Sequence, residues 1–300
     1  MVMLEVFKET ISVKYKAFLL SKATFITLVC DIITISLPFV LSYYSGGLWQ
    51  KHNSLHLQPN VRFNGDFLLL AMSAQNQKPI VCSSFPYYKK YLGTLDACST
   101  VKIREIDANL DNQVDALQFQ TTIDLPEKMP IDAINIVLLL NYTLQEPCYF
   151  QMESAVIYQE TNLRNVFQLS LYADLGLQQT ESIKCSKNRL ADMNLPIGNA
   201  HHSEDYMFDN FVGNYASKKI KTTLTNPITT YGSVKATSFG LNLNLKYPKH
   251  KIYYTPNLWQ VCKFAWIQYI AIYIITAWLV SKIKSYIFMN NLVLFYKDRK

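Results

Sequence analysis

Glycine is scarce, nine in 300 residues. A loop that cradles phosphate with backbone N–H groups has little to be built from, and neither a Walker A nor a G-x-G-x-x-G stretch occurs. G-x-S-x-G and H-E-x-x-H are missing too, so no esterase-type nucleophile or zincin site is written here. CxxC is absent, which leaves zinc-ribbon and thioredoxin-type chemistry without support. Charged residues amount to 17%, and no basic run is long enough to suggest nucleic acid. There is no internal repeat and no low-complexity tract. The chain is expected not to be an enzyme and to have no small-molecule substrate.

What the chain has is apolar bulk. Half its residues are hydrophobic, with 20 tyrosines and 16 phenylalanines, and two long apolar runs lie near its ends. Ala23–Tyr44 reads ATFITLVCDIITISLPFVLSYY, and Phe264–Val280 reads FAWIQYIAIYIITAWLV. Crossing the hydrocarbon core as a helix takes about 17–25 apolar residues, so both qualify. The predicted layout starts with a cytoplasmic N-terminus over 1–22 and a first transmembrane helix over 23–44. A lumenal or extracellular β-rich domain over 45–260 follows, then a second transmembrane helix over 261–281 and a cytoplasmic tail over 282–300.

Orientation rests on the first run. Lys8, Lys14, Lys16 and Lys22 precede it, while Lys51 and Arg62 follow it closely, and the positive-inside rule then puts both termini in the cytoplasm. The run is too long for a cleaved signal peptide, contains Pro38, and meets Tyr43, Tyr44 and Trp49 rather than a small-x-small cleavage site. Those aromatics read as an interfacial belt. Asp31 lies inside the run. An acid in hydrocarbon is costly unless paired, so it is expected to face a protein neighbour or to reach water.

Between the runs the pattern is that of strands. Asp115–Pro126 alternates with period two, placing Leu117, Phe119, Thr121, Ile123 and Leu125 on one face, and Phe239–Tyr247 alternates likewise. Val61–Ala74, Ile131–Leu144, Phe150–Gln159 and Asn165–Tyr172 are further candidates. Several short strands with no long helical period favour a single β-sandwich-like domain. The expected fold class is a membrane protein in which two transmembrane α-helices, N- and C-terminal, flank a mainly-β domain.

Four cysteines fall in that domain: Cys82, Cys98, Cys148 and Cys185. They allow three pairings; Cys82–Cys98 is the local one, and buried free thiols stay open. Cys30 and Cys262 lie in or beside the spans. Asn141-Tyr142-Thr143 is a sequon that can carry a glycan on the lumenal side. The segment from Asp107 to Asp115 spaces Asp107, Asn109, Asp111, Gln113 and Asp115 as hard oxygen donors to Ca2+ are spaced in a calcium loop. Gln118 stands where the bidentate Glu of an EF-hand would be, and a polar Asn/Asp turn is the competing reading. His201-His202, with Glu204 and Asp205, reads as a polar loop, because adjacent residues on a strand point apart.

Tyr247-Pro248, Tyr254-Thr255-Pro256-Asn257-Leu258-Trp259 and Lys263-Phe264-Ala265-Trp266-Ile267-Gln268-Tyr269 lead into the second run. Together they resemble the juxtamembrane signature of the transmembrane protein 231 family. Ser21-Lys22-Ala23, Pro59 with Val61-Arg62-Phe63, Ser84-Phe85-Pro86 and the Asp107–Asp115 loop are similar to that family in order and spacing. From about Tyr142 to Asn244 only the strand-like character persists, and Asn112 stands where the family pattern has Gly. The resemblance implies a two-span protein, a glycoprotein if the Asn141 sequon is used, at the ciliary base, in the Meckel-syndrome-type complex of the transition zone. Its implied partners are tectonic-type, B9-domain and other small transmembrane proteins, beside the lipid bilayer. Its implied role is a structural subunit of the diffusion barrier, supporting ciliogenesis and the membrane protein composition of this cell projection.

Two other classes share the layout. One is an accessory or chaperone subunit of a flippase-type transporter, and the other a two-span channel subunit. In the second run Gln268 and Thr276 are the polar members among large aromatics, which argues against a pore. Lys282 and Lys284 are expected to stop that span at the cytoplasmic interface. Residues 285–296, SYIFMNNLVLFY, are too short to span again. They extend the helix, lie along the headgroups or dock a partner.

Overall fold

The computed structural model describes residues 13–19, 21–46, 48–73, 76–85, 88, 98–125, 130–163, 166–185, 208–233, 238–294 and 296–299. His201, His202, Glu204 and Asp205 lie outside the described residues. In chain order the elements begin with β1 (Val13–Lys16), α1 (Lys22–Tyr44), β2 (Asn53–Leu57), β3 (Asn60–Ser73) and β4 (Asn76–Ser83). Next come β5 (Cys98–Ile106), β6 (Ala116–Asp124), β7 (Ala133–Leu144), β8 (Phe150–Thr161), β9 (Gln168–Gln179) and β10 (Ile183–Lys184). The last are α2 (Phe208–Ser217), β11 (Ile220–Gly232), β12 (Ser238–Lys246), β13 (His250–Thr255), α3 (Leu258–Met289) and β14 (Tyr296–Arg299). Two compact units result: His52–Thr255, and Met1–Lys51 with Pro256–Lys300.

The first of these is a β module. A five-stranded sheet, β11-β9-β12-β6-β5, faces a four-stranded one, β4-β3-β7-β8, and a small sheet β10-β13-β2 lies at its margin. In the five-stranded sheet one face is apolar and the other polar. Leu117, Phe119, Leu169, Leu171, Leu241, Leu243 and Leu245 are all fully buried, while across the same strands Gln118, Gln120, Asn242 and Asn244 sit in register on the opposite face. That arrangement is why β6 and β12 alternate so cleanly in the sequence.

The four-stranded sheet is apolar on both faces. Leu69, Ile136, Leu138, Leu140 and Tyr142 join the sandwich core. Leu68, Leu70, Val137, Leu139 and Ala155 point the other way, against Phe211 and Tyr215 of α2. Burial on two sides explains the unbroken runs FLLLA and IVLLL in β3 and β7. Tyr215 also ties α2 down chemically, because its hydroxyl accepts from the N–H of Ala155 and of Thr222 and donates to Thr222 O. This ten-residue helix was not expected from the pattern of the middle region.

The second unit is helical. α1 and α3 are both long and apolar enough to cross a membrane, so the chain has two transmembrane helices flanking a mainly-β module. Ser21 caps α1, its side chain accepting from Thr24 N–H, and Asn257 caps α3. β1 and β14 pair antiparallel, from Val13 opposite Arg299 to Lys16 opposite Tyr296. The segment before α1 and the segment after α3 are thus joined by backbone hydrogen bonds. Beyond Met289 the chain turns back at Asn291 (φ 51°) into β14. Phe288 meets the Tyr15 ring at 5.6 Å, and Tyr296 meets Phe18 edge-on at 6.0 Å. Phe288 and Tyr296, both from the apolar segment 285–296, thus pack on the chain's own N-terminal segment.

Candidate functional site

The helix pair carries the most unusual chemistry. Asp31 of α1 forms an ion pair with Lys284 of α3, Nζ to Oδ1 at 2.5 Å. Two further polar links run along the antiparallel seam. Gln268 Nε2 donates to Ser45 Oγ at 2.7 Å, and the Tyr269 hydroxyl donates to Ile35 O at 3.3 Å. α1 buries Ala23, Pro38 and Ser42, and α3 buries Thr276 and Val280. Small residues on the seam let the backbones approach, as membrane helices require.

Depth follows from length. The part of α1 beyond Asp31, Ile32–Tyr44, covers about 20 Å, short of the ~30 Å hydrocarbon thickness. α1 therefore spans only if residues on the Lys22 side of Asp31 also lie in hydrocarbon, and Asp31 sits roughly 10 Å inside. Lys284 is held at the same level, and about 8 Å of helix still follows it to Met289. Helix α3 runs on past Lys282 and Lys284 to Met289, with Lys284 paired to an acid on the neighbouring helix. Asp31 is legible in the sequence as an intramembrane acid, but its partner lies 253 residues away. A basic residue just past an apolar run is the signal that could have found it.

At the other end of the pair an apolar cavity of about 610 Å³ lies between Ser36, Phe39, Trp49, Cys262, Ala265 and Trp266. Cys30 and Cys262 are free thiols.

In the β module the oxygens of the Asp107–Asp115 loop are spent on the loop itself. Asp107 accepts from the N–H of Leu110 and of Asn112, Asp111 accepts from Gln113 N–H, and Asn109 bonds Asp111 twice. Asp115 accepts from Gln58 Nε2 at 2.6 Å and from Ala108 N–H at 2.9 Å. These bonds, the Gln58 one foremost, hold its carboxyl below the usual range. Leu110 and Asn112 adopt φ of 59° and 65°, which Asn tolerates and which explains a turn closing without Gly. No group of three His, Cys, Asp or Glu side chains converges as metal ligands among the described residues. The donor set fits a self-capped turn better than a calcium loop.

The four module cysteines form two disulfides. Cys82–Cys98 joins the end of β4 to the start of β5, so it staples one large sheet to the other, and Cys148–Cys185 ties the β7–β8 connection to the segment after β10. Asn141 lies within β7, paired on one side with Arg62 and on the other with Glu153, and its Nδ2 donates to Asn64 Oδ1. His250 escaped notice in the sequence. Its Nδ1 lies 3.1 Å from Pro248 O, which can only accept, so Nδ1 carries the proton and Nε2 accepts from the buried Tyr142 hydroxyl at 2.9 Å. Burial holds its pKa below the ordinary value.

A protein-family model described as Transmembrane protein 231 matches residues 1–297. Transmembrane protein 231 of Homo sapiens is 30% identical over 98% of this chain and 94% of its own length. The Xenopus tropicalis protein of the same name is 28% identical over 98% and 95%. A solved proton-activated chloride channel aligns over 89% of this chain and 97% of its own, at 7% identity and a TM-score of 0.27, too low to carry an argument.

Proposed function

Since this chain belongs to the transmembrane protein 231 family, we propose that it is a structural subunit of the membrane complex forming the diffusion barrier at the ciliary base. The match along 1–297, both spans included, is the observation that carries this reading. The sequence supports it by lacking every phosphate-cradling and nucleophile motif named above, so catalysis is not proposed. We place both termini in the cytoplasm, a reading supported by the Lys-rich flank of the first span and by the pairing of β1 with β14. The β module then stands in the lumen or outside the cell, where its two disulfides persist. Tectonic-type and B9-domain proteins are its proposed neighbours. The test is the position of an endogenously tagged chain in ciliated cells. Signal concentrated between basal body and axoneme is expected; uniform plasma-membrane or reticular signal overturns the assignment.

A stapled β module held by two spans also suits an accessory subunit of a membrane transporter. Proximity labelling separates the two readings. Transition-zone proteins dominate the labelled set under the first, and one multi-span transporter under the second.

A further inference from the structure

The Asp31–Lys284 pair leaves something unsatisfied. Lys284 is turned into the helix seam, its side chain 27% exposed, whereas Asp31 stands at the seam's edge with 66% of its side chain uncovered. One carboxylate oxygen receives the ammonium. An ionised carboxylate offers about four lone-pair sites, and the hydroxyls nearest along α1 are committed elsewhere. Thr27, one turn before Asp31, donates to Thr24 O, and Thr34, one turn after, donates to Cys30 O. Ser285, beside Lys284, is directed to Met289 Sδ. Around the carboxylate Leu28, Ile32 and Ile35 are exposed and apolar. At roughly 10 Å below the interface no bulk water is available to fill the remaining sites.

An acid placed there with one carboxylate oxygen unmet by any donor among the described residues is costly in lipid, and the cost falls when a donor on another helix covers it. We propose that Asp31 is an intramembrane docking point for a transmembrane helix of another polypeptide, one that presents a hydroxyl, amide or basic side chain at the depth of Asp31. Charge complementarity selects this occupant. A purely apolar helix or an acyl chain leaves the carboxylate as it was, and a second acid repels it. Lys284 acts as the positioning residue, holding the carboxylate at the edge of the seam and aimed outward from it. The inference rests on the reading of this chain as a subunit of a membrane complex and names where on it such assembly happens.

The test uses the full chain in membranes of ciliated cells, with a photoreactive residue at Leu28 or Ile35, beside Asp31, or at Ile33 on the opposite side of α1. Crosslinked peptides are sequenced. The expected result is an adduct from the first two positions and none from Ile33. Its second component is a membrane helix with a Ser, Thr, Asn, Gln, His, Lys or Arg within one turn of the Asp31 level. Asp31→Leu lowers its yield at least about fivefold, the loss given by one interhelical hydrogen bond. Asp31→Asn, which keeps an acceptor and the side chain's shape, retains most of it and controls for misfolding. Adducts to lipid alone, to a second copy alone, or with a yield indifferent to Asp31→Leu overturn the docking point. Failure of the docking point is separable from failure of the functional reading. A chain concentrated at the ciliary base without the adduct rejects the first, and an adduct formed on a chain found elsewhere rejects the second.

Discussion

Replacing Lys284 by Met leaves the Asp31 carboxylate without its ammonium inside the bilayer. An unpaired acid at the centre of a membrane helix costs about 2.5–3.5 kcal/mol on insertion scales, less toward the interface. At the depth worked out above, ~2 kcal/mol is a reasonable share, or about a thirtyfold loss in the association of the two spans. Asp31→Asn with Lys284→Met removes the lone charge along with its partner and recovers most of that loss. The two substitutions are therefore strongly non-additive, with a coupling above ~1 kcal/mol. The reversed pair, Asp31→Lys with Lys284→Asp, restores the contact in the same geometry and recovers it again. Steric trapping of the full-length protein in bicelles, run as a double-mutant cycle, measures these quantities. Additivity within ~0.3–0.5 kcal/mol would mean the charges do not feel each other in the membrane, and the depth assigned to Asp31 would be wrong.

Other outcomes follow from the β module. His250 is neutral in the fold with its pKa depressed by burial, while the unfolded chain binds the proton below about pH 6.5. Its contribution is thus complete above that pH and is lost as pH falls further; thermal melts from pH 7 to 5 in full-length protein should show a slope that His250→Gln flattens. Paired Ser replacements of Cys82 with Cys98 and of Cys148 with Cys185 should cost about 3 and 4 kcal/mol respectively on the loop-entropy account, readable as denaturation midpoints; a smaller loss at the second pair contradicts the loop-length ordering. Asp107→Ala removes the acceptor for two backbone N–H groups. It should lower stability by ~1 kcal/mol equally with calcium and with chelator, and a chelator-dependent melt of the unmutated protein would restore the calcium reading.

The two spans were legible because a membrane helix needs nothing beyond a run of apolar residues. The strands β6 and β12 were legible for a related reason, since a sheet with one wet face writes period two into its sequence. β5 and β11 were not. They sit at the two edges of the five-stranded sheet, and much of each is solvent-exposed, so little burial constrains their pattern. α2 was missed because it uses only Phe211 and Tyr215 as buried anchors within ten residues, too few to establish a helical period. In the Asp107–Asp115 loop, spacing alone left a metal site and a polar turn both open, and only the structure shows which backbone N–H groups each oxygen meets.

Hydrophobic length, alternation and flanking charge are local properties, so the sequence by itself determined two membrane helices around a β module and the juxtamembrane signature of the family. Which groups meet across long separations was decided only by the tertiary structure. The partner of Asp31 is 253 residues away, and that of Tyr142 is 108 away. Contacts of that kind are set by packing of whole elements, and no local spacing of residues encodes them.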